Sequence, residues 1–253
     1  MSFMSKFLAL FRRKKQHSSA CMMSLEDNHV HTDACFVNIV PLSLVELFSS
    51  QGCVSCPPAL PNIYKTVLAN PNALLLTYNV TYWDGKSGWK DTFAQNQWDQ
   101  RQKAYATKNG KPGVYTPQVI WDGLADGVGG KEEEMMDIAA KGIAARERVD
   151  VGSVTLSIFG DEIRIASDRT EAEHCDVTVV AYNSREQAVK VGAGPNKKKK
   201  IAHNNVVVDM MKLGTWNGGN VLLALPAAGD SSLERAVFLQ AGPGGSIAAV
   251  AKV

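Results

Sequence analysis

Residues 44–58 read Leu-Val-Glu-Leu-Phe-Ser-Ser-Gln-Gly-Cys-Val-Ser-Cys-Pro-Pro. The apolar run at 40–48 is typical of a buried central strand, and a loop at 49–52 separates it from the first cysteine. Pro57 and Pro58 suit the first turn of a helix, where a missing N–H leaves no hydrogen bond unmade. The stretch therefore predicts a strand, a short loop that carries two cysteines, and a helix.

The chain beyond this stretch alternates between strand and helix patterns. The remaining elements are predicted at 60–68 (helix), 73–80 (strand), 93–107 (helix), 117–121 and 125–128 (strands) and 131–148 (helix). The last helix opens with three glutamates, which suit the positive end of a helix dipole. This order predicts an α/β fold in which helices cover a partly parallel sheet.

After residue 149 the pattern changes to period two, which is typical of antiparallel strands. Strands are predicted at 151–159, 162–167, 175–182, 206–213, 221–225 and 236–240. We expect three regions: a disordered basic tail at 1–38, an α/β domain at 39–149, and an antiparallel, sandwich-like β domain at 150–253. In the alternative arrangement, strands of the second half pack onto the first sheet.

Composition excludes several classes of partner. The formal net charge of +2 over 253 residues is too small to favour nucleic acid or an anionic membrane. No apolar run approaches the roughly 20 residues of a membrane span. Five cysteines, an odd number, do not form the pattern of a disulfide scaffold.

The first 25 residues contain no acid and place most of their charge after a short apolar run. This order does not fit a secretory signal, so we expect a cytoplasmic protein, with a mitochondrial transit segment as the alternative. His29, His31 and Cys35 lie in the tail without the paired spacing of zinc modules. We therefore predict no metal site and no cofactor.

The cysteine pair Cys53-Val54-Ser55-Cys56 is the motif that carries chemistry. A thiol at a helix N-terminus is stabilised as thiolate by the helix dipole and free N–H groups. Cys53 is accordingly predicted to attack a disulfide, and Cys56, one turn on, to resolve the mixed disulfide. A zinc half-site is the alternative, but it needs further ligands, and Cys175 and His203 stand alone in the sequence.

Several stretches together resemble the thioredoxin-like domain-of-unknown-function family twelve-twenty-three. They are residues 44–58, 82–84, 88–91, 101–105, 114–118, 194–196 and 203–207, so the resemblance runs from about residue 40 to the C-terminus. It implies a thioredoxin-like fold with an all-β extension and supplies no substrate. The sequence departs from the family pattern at Asn79 and Thr81, where the family has His and Asp.

Thr116 and Pro117 form the second candidate feature of the site. In a thioredoxin fold the corresponding peptide bond is cis and lies against the active-site cysteines, so we predict a cis Thr116–Pro117 bond near Cys53. Such bonds account for only about 5–6% of X–Pro bonds in folded proteins, which leaves a trans bond in a plain turn as the alternative. The backbone of Thr116 would pair with an incoming substrate chain.

Three further side chains have two interpretations each. Glu46, seven residues before Cys53, is either a buried proton relay for the resolving thiol or a solvent-facing strand end. Trp83 and Trp89 either line a substrate groove or pack a long loop. The run of four lysines at 197–200 is more typical of a solvated hairpin loop than of a nucleic-acid site.

Two functions remain open from the sequence. The first is a thiol–disulfide oxidoreductase that uses Cys53 and Cys56 on a disulfide-containing protein or a small thiol substrate. The second is a non-enzymatic binding module in which the pair is a structural disulfide. The two hypotheses differ in whether one thiol has a depressed pKa.

Overall fold

The computed structural model describes residues 41–86, 88–148, 154–168, 170 and 174–253. The predicted tail at 1–38 and the candidate ligands within it lie outside these residues. The described chain contains three helices, α1 (Cys56–Leu68), α2 (Asn96–Lys108) and α3 (Glu132–Arg146). Its strands are β1 (Ser43–Ser49), β2 (Ala73–Asn79), β3 (Gln118–Trp121), β4 (Ala125–Gly127), β5 (Val154–Phe159), β6 (Glu162–Ser167), β7 (Cys175–Asn183), β8 (Gln187–Lys190), β9 (Lys200–His203), β10 (Val206–Trp216), β11 (Val221–Ala224), β12 (Glu234–Gln240) and β13 (Ile247–Lys252).

Eight strands form the main sheet, in the order β13-β12-β7-β10-β2-β1-β3-β4. The three central strands β10, β2 and β1 are parallel to one another, and the other neighbours pair antiparallel. Every residue of β1 and β2 is buried, as their continuous apolar runs predict for strands covered on both faces. The prediction of a mixed α/β fold is confirmed.

Strands from both sides of residue 149 share this sheet, which is the alternative arrangement that the sequence left open. Residues 42–253 form one compact unit. Strands β5, β6 and β11 form a second, three-stranded sheet whose apolar face packs on β7, β12 and β13. The pattern did not predict β8, β9 or β13, and β8 pairs with β9 in a separate hairpin.

The two edges of the main sheet approach each other at Asp122. This residue lies in the turn between β3 and β4, and its carbonyl accepts the backbone N–H of Ile247 at the start of β13 (2.8 Å). Its carboxylate accepts the backbone N–H of Leu44 (2.7 Å) and a guanidinium N–H of Arg146 on α3 (3.3 Å). The sheet therefore curves, and the side chains of Trp98 and Tyr105 on α2 lie in the apolar cluster inside the curve.

A buried ion pair fixes α2 against the sheet. Arg101 Nε donates to Glu46 Oε1 at 2.5 Å, and only 9% of the Arg101 side chain and 1% of the Glu46 side chain are exposed. The Tyr105 hydroxyl donates to the second oxygen of Glu46, and Arg101 also donates to Gln240 on β12 (3.0 Å). Burial acts to lower the pKa of Arg101, but the adjacent Glu46 carboxylate holds it well above its ordinary value.

We expect Arg101→Met to lower the free energy of unfolding by about 3–5 kcal/mol, because it leaves the Glu46 carboxylate buried without its partner. The double variant Glu46→Gln/Arg101→Met removes both charges and should recover most of that loss. Urea unfolding measures both, and Lys108→Met at the exposed end of the same helix is the control. A loss below about 1 kcal/mol for Arg101→Met would contradict this role of the ion pair.

Candidate functional site

The two cysteines lie where β1 passes into α1. Cys56 is the first residue of α1, and Pro57 and Pro58 occupy the first turn, as the sequence predicts. Both cysteines are buried, lie close together, and are not joined by a disulfide. The side chain of Val54, between them, is 59% exposed, so this loop is at the surface of the protein.

The contacts of Cys53 favour its thiolate. Its sulfur lies 3.2 Å from the Ser55 hydroxyl, which can donate to the thiolate. The carbonyl oxygen of Thr116 lies 3.4 Å from the sulfur and accepts only from the protonated thiol. The largest influence on the pKa of Cys53 is a hydrogen bond from the Cys56 side chain. Together with hydrogen bonds from the Ser55 and Thr116 side chains, it lowers this pKa to about 5, although burial opposes the shift. The donors around Cys53 therefore favour its thiolate form.

Cys56 has the opposite electrostatic environment. Burial, followed by the hydrogen bond to Cys53 and the charge of Cys53, raises the pKa of Cys56 far above its ordinary value. The Ser49 side chain and the Ser50 backbone offset only part of this rise. The pKa values of the two thiols are thus shifted in opposite directions: Cys53 is the thiol that ionises, and Cys56 is the thiol that keeps its proton.

The Thr116–Pro117 peptide bond is cis, as predicted, and lies against the cysteine loop. The Ser55 hydroxyl lies 3.2 Å from the Thr116 carbonyl and 3.2 Å from the Cys53 sulfur, and its one proton is donated to either of them. Trp83 Nε1 donates to the Thr116 hydroxyl at 2.8 Å. The Thr116 hydroxyl hydrogen is thereby left available to the Cys53 sulfur, whose pKa the Thr116 side chain helps to lower.

The loop before Cys53 is held by the aromatic segment 81–95. The side-chain oxygen of Gln51 accepts the indole N–H of Trp89 at 2.9 Å and the backbone N–H of Thr92 at 3.2 Å. The Trp89 ring also packs against Gly192, where an added Cβ would lie 2.8 Å from a ring carbon. Trp83 and Trp89 are both half-buried and link loops together, and their role in binding substrate remains a prediction.

Asp91 ties the same loop to β2. Its carboxylate accepts the backbone N–H of Gln51 (2.7 Å), the backbone N–H of Phe93 (2.9 Å) and the side-chain N–H of Asn79 (2.9 Å). Burial raises the pKa of Asp91, and these hydrogen bonds act against the rise. Asn79, which departs from the family pattern, is therefore a partner of this carboxylate.

Asn196 reaches the cysteine loop from the hairpin of β8 and β9. Its buried side-chain amide donates to the carbonyl oxygens of Gln51 (2.9 Å) and Cys53 (2.7 Å), while its own oxygen accepts from Lys199 Nζ (2.9 Å). Sequence reasoning did not assign Asn196 to the site, because 143 residues separate it from Cys53. The Gly-Pro-Asn stretch at 194–196 was the signal that could have found it.

Glu46, the candidate proton relay, lies apart from the cysteines. Within β1 it shares a face with Leu44 and Phe48, in the cluster that contains α2, and its carboxylate contacts Arg101 and Tyr105. No contact joins it to Cys53 or Cys56 among the described residues, and the relay role stays a prediction.

Neither candidate zinc partner joins the cysteine pair. Cys175 packs in the apolar cluster of the second sheet, and His203 is buried against the Phe93 ring. Burial lowers the pKa of His203 to about 4, so its ring is neutral at physiological pH. No group of three or more His, Cys, Asp or Glu side chains is arranged to hold a metal ion in the part of the chain that the structure describes. Within the same ranges, no helix has the length and apolar character needed to cross a membrane.

Comparison with known proteins identifies the family. The profile of the family described as "Protein of unknown function (DUF1223)" matches residues 44–240, and the chain belongs to this family. A crystal structure of protein AGR_C_4864 from Agrobacterium tumefaciens is 32% identical, with a TM-score of 0.66 over 83% of this chain and 93% of that chain. HBP35 of Porphyromonas gingivalis is 14% identical and similar in fold, with a TM-score of 0.53 over 84% of this chain and 74% of that chain. No curated protein matches the sequence.

We expect the reduced protein to show a thiolate absorbance that titrates near pH 5 and disappears in Cys53→Ser. Below that pH Cys53 becomes a thiol, and above it the thiolate persists through neutrality. Cys56→Ala removes the main hydrogen-bond donor, so the midpoint should move toward the ordinary thiol value of about 8.5. The Cys175→Ser variant is the control, and a native midpoint near that ordinary value would show that Cys53 is not activated.

Proposed function

We propose that this protein is a thiol–disulfide oxidoreductase with a thioredoxin-like active-site arrangement, in which Cys53 is the nucleophile and Cys56 the resolving thiol. The single observation that supports it best is geometric: two free thiols lie at the start of α1, and the Cys53 sulfur lies within hydrogen-bond distance of Ser55 and Thr116. This placement lowers the pKa of Cys53 and raises that of Cys56. A pair that served only as a structural disulfide would need no such difference between its thiols.

The arrangement around the thiols supports the same proposal. The two cysteines lie between strand β1 and the first turn of α1, and the cis Thr116–Pro117 bond lies opposite them. The carbonyl of Thr116 lies within 3.4 Å of the nucleophilic sulfur. An extended substrate segment that displaces the Ser55 contact can hydrogen-bond to this carbonyl, as in strand addition. Trp83 fixes the Thr116 side chain and so holds this acceptor in place.

The reaction proceeds in two exchanges. The Cys53 thiolate attacks one sulfur of the substrate disulfide, a Cys53–substrate bond forms, and the other substrate sulfur leaves as a thiolate. Cys56 then loses its proton to that leaving thiolate or to solvent and attacks the Cys53 sulfur. The bond between Cys53 and the substrate breaks, and the second substrate sulfur leaves as a thiolate that takes a proton from solvent. The substrate gains two electrons and is released as a dithiol, while the protein is left with a Cys53–Cys56 disulfide.

The high pKa of Cys56 sets the order of these steps. A protonated Cys56 does not compete with substrate as a second nucleophile, and it supplies the hydrogen bond that keeps Cys53 ionised. Once Cys53 is bonded to substrate its negative charge is gone, so one cause of the raised Cys56 pKa disappears and deprotonation becomes easier. Cys53 has no exposed surface in this state, so its covering contacts must part before a substrate sulfur reaches it.

We expect Cys56→Ser to accumulate a mixed disulfide with a disulfide substrate, because the resolving step is lost while the nucleophile remains. Cys53→Ser should neither trap nor reduce the substrate, and Cys175→Ser should behave as the native protein. Mass spectrometry under denaturing conditions detects the trapped species, and turnover is followed with a dithiol reductant present. Trapping by Cys53→Ser instead of Cys56→Ser would reverse the two roles, and no trapping by either would favour a structural disulfide in a binding module.

A further inference from the structure

The hairpin of β8 and β9 brings a concentrated positive charge to the cysteine site. Residues 187–203 contain five lysines and no carboxylate: Lys190, Lys197, Lys198, Lys199 and Lys200. All five are exposed, and none forms a salt bridge within the described part of the chain. We call these five residues the lysine turn.

The lysine turn is attached directly to the loop that carries the nucleophile. Asn196, which immediately precedes the lysine run, donates 2.7 Å to the Cys53 carbonyl and accepts from Lys199 Nζ. Gly192, on the other arm of the hairpin, lies beneath the ring of Trp89. The charges are therefore held close to the loop that carries Cys53.

Two features of the lysine turn oppose stability, and both are specific to its lysines. Lys190 and Lys200 stand directly opposite each other on adjacent strands, and like charges in that position are destabilising. Lys198 has φ +71°, a left-handed conformation in which glycine or asparagine is less strained. Other residues at these positions would avoid the charge repulsion and the backbone strain. We therefore attribute the lysines to an interaction outside the chain.

We propose that the lysine turn recruits acidic polypeptide segments that carry the disulfide on which Cys53 acts. This inference rests on the proposed function, which requires a partner with a disulfide, and nucleic acid does not meet that requirement. Carboxylates next to the substrate disulfide would meet a cluster of uncompensated ammonium groups, which raises the rate of encounter more than it lengthens the life of the complex.

The test uses the full chain with the Cys56→Ser substitution, which stops the reaction at the mixed disulfide. Three peptide disulfides of equal length carry Glu, Gln or Lys on either side of the cysteine, and oxidised glutathione serves as a small anionic disulfide. The second-order rate of mixed-disulfide formation is measured at low and at high salt. At low salt we expect the acidic peptide to react about tenfold faster than the neutral one, and the basic peptide to react slowest.

The variant Lys197→Gln/Lys198→Gln/Lys200→Gln should abolish this preference while leaving the rate with the neutral peptide unchanged. It retains Lys199, which bonds to Asn196. The control Lys65→Gln/Lys103→Gln/Lys108→Gln removes the same charge from exposed positions on α1 and α2 and should keep the preference. The Lys198→Asn variant, which suits the left-handed backbone, checks that any loss does not come from a distorted turn.

The outcomes separate this inference from the proposed function. Equal rates for the three peptides, or a preference that survives in the lysine-turn variant, would overturn the inference and leave the thiol chemistry intact. Preference for oxidised glutathione over the acidic peptide would overturn the polypeptide as the ligand. The absence of any mixed disulfide would refute the proposed function and the inference together.

Discussion

The ion pair between Glu46 and Arg101 is the constraint on which the rest of the structure depends. It joins the central strand β1 to α2, and the guanidinium continues to Gln240 on β12, so one side chain connects elements from both halves of the chain. Burying two charges is costly unless they pair well and their remaining polar atoms are bonded. The curved sheet around α2 satisfies that requirement, and the same strand β1 delivers the cysteine loop to the surface.

The candidate site is a loop that side chains from distant segments hold in addition to its own hydrogen bonds at Ser50. Asp91 binds the N–H of Gln51, Asn196 binds the carbonyls of Gln51 and Cys53, and Thr116 faces the sulfur of Cys53. Such a loop loses little entropy when a substrate binds because it is ordered beforehand. The difference between the two thiols follows from this order, since it depends on fixed donors around Cys53.

The site motif and the first half of the fold could be predicted from the sequence, because buried strands, a proline-started helix and a cysteine pair leave local patterns. The strand β13 escaped prediction because residues 247–252 are rich in alanine, which is depleted in strands. Strands β8 and β9 have only four residues each, with lysine in both. Asn196 contacts the cysteine loop, and Arg101 contacts Glu46, across long stretches of sequence. No local sequence pattern predicts such contacts.

The position of Asn196 late in the chain has a consequence during synthesis. Cys53 leaves the ribosome 143 residues ahead of the amide that holds its loop. At about 5–20 residues per second this interval lasts roughly 7–30 s. Throughout it the nascent cysteines lack the hairpin of β8 and β9, and the lysine charge has not yet been made. The reactive pair therefore gains this support only after residue 196 has been made, and a chain truncated before residue 196 would carry both thiols without the amide that holds their loop.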